Sequence, residues 1–105
     1  MSTISYAAGM ARPQPLTAAE IEAALADRPH WKVDDGKLRR QFVFADFVTA
    51  FAFMTRAAFA AERLNHHPDW SNVWSKVDVS LWTHDAGGIT SLDFDLARAM
   101  DDAAG

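Results

Sequence analysis

Three histidines stand close together in the chain: His66, His67 and His84. Imidazole is the side chain whose ordinary titration falls nearest neutral pH, so such a group can give or take a proton under physiological conditions. Glu62 lies four residues before His66, one helical turn, which predicts that the two share a helix face. A carboxylate in that place would favour the protonated imidazole and suit His66 to general-acid work. Four tryptophans, Trp31, Trp70, Trp74 and Trp82, add flat surfaces on which a planar heterocycle could rest.

Each of these residues also has a plainer reading. A His pair before Pro68 fits an exposed helix terminus, where the helix dipole favours a cation in any case. His84 fits a turn, Asp93 fits a helix cap, His30 between Pro29 and Trp31 reads as structural, and tryptophans commonly fill cores. A metal site is the sharper rival. Adjacent histidines on a helix point about 100° apart and rarely ligate one ion. The spaced His pairs of helical zinc motifs are absent, so no metal is expected.

The composition narrows the classes. With 105 residues the chain supports one domain, and half of its residues are apolar. A formal net charge of −4, with Lys and Arg scattered, gives no support to nucleic-acid coating. The absence of cysteine excludes disulfides, thiolate metal sites and a Cys nucleophile. No signal peptide or membrane-length apolar run is seen, so a cytoplasmic protein without membrane contact is expected.

The elements that must carry these groups follow from pattern. Residues 1–15 lack periodicity and read as a flexible tail, leaving 16–105 as a single domain. Thr17 and Glu20 have capping-box spacing before an apolar stripe of Ile21, Ala24 and Leu25, and Pro29 ends that helix. Asp35-Gly36 between residues 31–34 and 37–44 predicts a two-residue hairpin turn. Leu38, Phe42 and Phe44 share one parity, interrupted by Arg40. Asp46 can cap a long helix to about Asn65, which Pro68 prevents from continuing far.

That helix carries two apolar stripes. Phe47, Phe51, Met54 and Ala58 form one; Phe53, Ala57, Ala60 and Leu64 form the other, roughly 120° away. One stripe can pack on a sheet; the other predicts self-association, as a dimer or tetramer, through helix 46–65. A single long strand is expected over about 72–83, with Val73, Val77, Val79 and Leu81 on the core side. Gly87-Gly88 marks a turn, and Thr90 with Asp93 caps a last helix bearing Leu92, Leu96, Ala99 and Met100. The order predicts an α+β fold with an antiparallel sheet and helices on one face.

The joint spacing is more specific than any of its parts. Glu62, three residues, His66-His67-Pro68, five residues, Trp74, nine residues, His84, eight residues and Asp93 resembles the signature of the pterin-4a-carbinolamine dehydratase family. The flanks at 51–56 (Phe-Ala-Phe-Met-Thr-Arg), 61–70 (Ala-Glu-Arg-Leu-Asn-His-His-Pro-Asp-Trp), Asn72-Val73 and Thr83-His84 resemble family segments too. The resemblance spans roughly residues 16–102.

It implies a four-stranded antiparallel sheet, a long helix used in oligomeric bundles, and dehydration of a 4a-hydroxytetrahydropterin released by an aromatic amino-acid hydroxylase, with no cofactor. It implies His66 and His84 as acid–base groups and His67 as a catalytic-site residue that orients the pterin. Asn65, Trp82, Thr83, Asp85 and Trp31 would contact substrate, with Trp31 covering its face. Glu62 would tune His66, and Asp93 would support the site. Asn65 stands where an acidic residue is expected, Trp74 where Tyr is common, and Trp82 replaces a small residue beside His84. Relatives that bind a transcription factor, or resemble Rubisco assembly factors, offer the alternative of a binding role on the same fold.

Overall fold

The capping box at the first helix forms as its spacing predicts. Glu20 N–H donates to Thr17 Oγ at 3.1 Å, and Thr17 N–H donates to Glu20 Oε1 at 2.8 Å. Helix α1, Ala18–Ala26, follows. This computed structural model describes residues 13–105, so residues 1–12, most of the segment expected to be a tail, lie outside the described residues. Leu16 is already tied down: its N–H donates to Ile89 O at 2.8 Å, and its side chain packs on the core.

Strands β1 (Lys32–Asp34) and β2 (Lys37–Val43) pair antiparallel, with Asp34 opposite Lys37. The turn between them puts Asp35 at φ 54° and Gly36 at φ 71°, the double left-handed geometry that an Asp-Gly turn serves. Helix α2, Phe47–Leu64, begins at Asp46, whose side chain accepts the Thr49 N–H at 2.8 Å. That backbone bond, followed by the Thr49 side chain, holds the Asp46 carboxyl below its ordinary value.

One expectation fails here. In place of a single strand over 72–83 there are two, β3 (Asp69–Val73) and β4 (Lys76–Leu81), paired antiparallel with Val73 opposite Lys76. A two-residue turn keeps alternation along the sequence but reverses which parity faces inward, because the residues flanking the turn lie side by side. Val77, Val79 and Leu81 are buried, whereas Val73 is 71% exposed. The turn contains no glycine. Trp74 itself adopts φ 52°, and Asn72 Nδ2 braces it by donating to the carbonyls of Trp74 (3.1 Å) and Lys76 (2.9 Å).

A 3-10 turn, His84–Ala86, and helix α3, Ser91–Ala104, complete the chain. The sheet order is β1-β2-β4-β3, antiparallel throughout, giving an α+β fold with three α-helices among the described residues. The core forms between the inner sheet face (Leu38, Phe42, Val77, Val79, Leu81) and the helices (Ala50, Phe53, Ala57, Leu96, Met100).

Arg40, the break in the β2 apolar parity, is explained by α3. Its guanidinium pairs with Asp101, which also accepts from Arg28 Nη1 at 3.0 Å and from Trp31 Nε1 at 2.8 Å. The two stripes of α2 separate as geometry requires. Phe53, Ala57 and Ala60 are buried with Leu64 partly so, while Phe47, Phe51 and Ala58 remain exposed and Met54 is half-buried. No described helix is long and apolar enough to cross a membrane.

Candidate active site

The end of α2 decides where its histidines go. Asn65 takes the left-handed conformation (φ 50°, ψ 42°), and its N–H donates to Glu62 O while His66 N–H reaches back to Ala61 O at 3.1 Å. These paired bonds terminate a helix at a left-handed residue, and Asn tolerates that conformation better than other non-glycine residues. Past Asn65 the helical periodicity no longer applies, so His66 does not lie over Glu62. The Glu62 carboxylate instead meets His67, with 2.8 Å between Oε1 and Nε2. Both of those side chains are well exposed, at 79% and 60%, so the pair contributes little on its own.

His66 turns inward to Asp93. Its Nε2 lies 2.6 Å from Asp93 Oδ1, with the histidine side chain 11% exposed and the aspartate fully buried. A carboxylate offers only lone pairs, so Nε2 is the protonated nitrogen and Nδ1 is left to the cleft. Asp93 occupies the third position of α3, where its Oδ2 also accepts the N–H of the N-cap Thr90 at 2.9 Å. The expected cap thus has a second oxygen, and that oxygen meets His66.

His84 opens the 3-10 turn after β4. Its ring stacks on Trp82, with centroids 4.3 Å apart and planes 26° from parallel, and Lys37 Nζ lies 4.7 Å from the Trp82 ring centre. The turn is closed by Thr83, whose N–H donates to Gly88 O at 2.9 Å.

These pieces surround one open cleft of about 320 Å³, lined by Pro13, Asn65, His66, His67, Trp82, Thr83, His84, Asp85 and Leu92. The three histidines therefore converge as their placement at a helix end and a strand end predicts. A larger concavity, about 500 Å³, lies elsewhere, around His30, Trp31, Lys32, Arg39 and Gln41. It contains none of the three convergent histidines, and its Arg39 and Gln41 side chains are engaged by Asp34 and Asp78.

A family comparison fits this arrangement. The family described as Pterin 4 alpha carbinolamine dehydratase matches residues 14–103. The chain belongs to the pterin-4a-carbinolamine dehydratase family. A relative in Solibacter usitatus, provisionally named a pterin-4-alpha-carbinolamine dehydratase, is 54% identical over 86 residues, covering 82% of this chain and 90% of its own. One in Rhizobium johnstonii, with the same provisional name, is 57% identical over 86 residues, covering 80% and 85%. The crystal structure of a transcriptional coactivator/pterin dehydratase from Brucella melitensis superposes with a TM-score of 0.84 at 46% identity, covering 88% of this chain and all of that one.

Within this member of the family, three expected roles are revised by the geometry. Trp31 is 3% exposed, packs edge-on against Phe42 at 5.8 Å, and spends its indole N–H on Asp101, so it has no face to offer in the histidine cleft. Glu62 adjoins His67 and not His66. Thr83 lines the cleft, but its hydroxyl is turned inward, donating to Asp93 Oδ2 at 3.0 Å and lying 2.7 Å from Thr90 Oγ. Pro13 and Leu92 are wall residues that sequence reasoning did not single out; Pro13 fell within the supposed tail, and Leu92 read only as a core residue of α3. Among the described residues, no three His, Asp or Glu side chains converge as metal ligands.

Proposed function

We propose that this protein is a hydro-lyase that dehydrates 4a-hydroxytetrahydropterin to quinonoid dihydropterin and water. The observation that supports this most is the unlike environment of two imidazoles on one cleft. His66 is nearly buried and held by Asp93, while His84 is exposed and braced on Trp82.

The reaction needs a proton delivered to the C4a hydroxyl as the C4a–O bond breaks, and a proton removed from N5 as its electrons form the C4a=N5 bond. Two imidazoles can perform these transfers near neutral pH, and their different positions would let either serve each face of the ring. His66 and His84 are the acid–base residues in this reading. The buried Asp93 carboxylate fixes the ring orientation and tautomer of His66, leaving Nδ1 as its working nitrogen. His67, Asn65 and Asp85 line the rim and orient the pterin. Trp82 supports His84 and narrows the cleft beside it. No metal or organic cofactor enters these steps.

The substrate is the product of an aromatic amino-acid hydroxylase in this reading, and the enzyme works in the cytoplasm to recycle tetrahydropterin. It self-associates through helix 46–65: Phe47, Val48, Phe51 and Phe59 are each 47–76% exposed in the single chain, more apolar helix surface than a lone domain ordinarily leaves in water. The same aromatic face supports a second reading, that the protein docks on another protein, in line with the description of the Brucella melitensis protein as a transcriptional coactivator/pterin dehydratase.

The deciding experiment follows the ultraviolet absorbance of freshly generated 4a-hydroxytetrahydropterin with and without the protein, in the presence of chelator. Acceleration that persists in chelator and vanishes in the His66→Ala/His84→Ala double variant is the expected result. A folded, oligomeric sample that gives no acceleration would sink the dehydratase reading in favour of the docking one.

A further inference from the structure

Behind His66 the hydrogen bonds continue. Asp93 Oδ2 receives the Thr83 hydroxyl at 3.0 Å, and Thr83 Oγ lies 2.7 Å from Thr90 Oγ. Thr90 Oγ in turn accepts the Leu92 N–H at 3.2 Å. Thr83 is 6% exposed, and Thr90 and Asp93 are fully buried, so no solvent competes for these groups.

The direction of the run follows from counting protons. Each hydroxyl has one. The Thr83 proton goes to the carboxylate, because the opposite choice would set two lone pairs against each other. The proton between the two threonines therefore belongs to Thr90. The chain reads Leu92 N–H to Thr90 O–H to Thr83 O–H to Asp93, whose other oxygen accepts His66 Nε2–H. One end is anchored in the backbone of α3 and the other is the imidazole facing the cleft.

Thr83 is also the residue immediately before His84, and its backbone closes the turn that carries that histidine. A single residue thus touches the supports of both imidazoles, the one through its hydroxyl and the other through its main chain.

We propose that Thr83, with Thr90 behind it, is a positioning residue that fixes the Asp93 carboxylate and through it the orientation and tautomer of His66. This rests on the acid–base role given to His66 above. A carboxylate held on one oxygen by two donors keeps its second oxygen aimed at Nε2. With the hydroxyl removed, the Thr90 N–H is the one donor left on that oxygen, so the carboxylate plane is held less firmly, the Nε2–H bond to Oδ1 weakens, and the Nδ1–H form of His66 gains population.

The test compares Thr83→Val, which keeps the β-branched shape and the backbone contacts but lacks the hydroxyl, with Thr83→Ser, which keeps the hydroxyl. Two-bond proton–nitrogen NMR on ¹⁵N-labelled, substrate-free protein reports the His66 tautomer directly. Wild type and Thr83→Ser are expected to show the Nε2–H form alone, and Thr83→Val a mixture. In the dehydration assay Thr83→Val should lower kcat about tenfold, equivalent to about 1.4 kcal/mol, with KM changed less than about twofold and Thr83→Ser close to wild type.

A tautomer change without a kcat change would uphold the positioning role and overturn the acid–base role of His66, so the two failures are separable. A folded Thr83→Val protein with the wild-type His66 signature would overturn the proposal. Should the valine variant not fold, Thr83→Ala carries the same comparison with the smaller side chain.

Discussion

Replacing Asp93 with Asn changes one oxygen to an amide nitrogen and should disable the site while leaving the fold in place. Asp93 accepts three bonds: Thr83 hydroxyl at 3.0 Å and Thr90 N–H at 2.9 Å on Oδ2, and His66 Nε2 at 2.6 Å on Oδ1. Asparagine has one acceptor oxygen. Turned toward the cap it keeps two bonds; turned toward His66 it keeps one and sets its NH2 against the Thr90 donor. The first placement wins by about one net hydrogen bond, roughly 1 kcal/mol, before the donor–donor repulsion is counted. His66 Nε2 then faces a donor and must give up its proton, which moves to Nδ1. That ring cannot take a proton at Nδ1, and it becomes an imidazolium only by opposing two donors. Whether His66 works as acid or base, it fails. An aspartate-to-asparagine change behind a triad histidine costs about 10⁴ in kcat through the same tautomer reversal, and a fall of roughly 10²–10⁴ is expected here. Stability should drop only by about 1–2 kcal/mol, since the α3 cap survives. Stopped-flow absorbance for kcat and urea unfolding for stability check the two halves. An Asn variant turning over within a few fold of wild type would show that Asp93 is a cap and nothing more.

Three other changes probe other parts of the molecule. Asp101→Ala removes the shared acceptor of Arg28, Trp31 and Arg40 and leaves an unpaired charge on the inner face of β2; a loss of about 3 kcal/mol in urea unfolding is expected, with the kcat of the folded fraction unaltered. Asp46, held below its ordinary value by Thr49, stabilises α2 above the unfolded carboxylate range of about 4, and that contribution disappears as the pH falls through the lowered folded value. Asp46→Asn, which caps nearly as well without a charge, should therefore flatten the loss of helicity below about pH 4, and an unchanged acid-unfolding curve would refute the assignment. On the proposed self-association through α2, Phe51→Glu places a charge in its exposed stripe and should shift sedimentation from oligomer to monomer; a monomeric wild type or an unshifted profile would refute that interface.

The fold was legible wherever one local rule acted alone. The Thr17 and Asp46 caps, the Asp35-Gly36 turn and the two faces of α2 each depend on residues a few positions apart, and each formed as expected. The strand expected over 72–83 failed because its turn uses Trp74 in the left-handed region, an unfavoured residue that no turn rule selects, and because alternation runs unbroken through a two-residue turn. What supports that geometry is Asn72, whose amide brackets the turn through two carbonyls. Asparagine there reads as an ordinary strand residue until the partner strand is known.

In the site, the convergence of His66, His67 and His84 could be read from a helix end and a strand end meeting at one edge of the sheet, but the choice of carboxylate could not. The four-residue spacing that linked Glu62 to His66 assumes a helix that continues through the histidine. The helix stops one residue earlier, at a left-handed Asn65 whose own type is the clue, and that single residue hands Glu62 to His67. The buried partner of His66 lies 27 positions away and reaches it only because α3 starts with its third residue beneath the end of α2. Asp93 looked like a cap because it is one. A carboxylate has two oxygens, and local sequence accounts for the one that binds Thr90, while only tertiary packing accounts for the other. A capping acid with a buried second oxygen is therefore a place to look for a histidine, and here the exposed acid nearest in sequence was the wrong candidate.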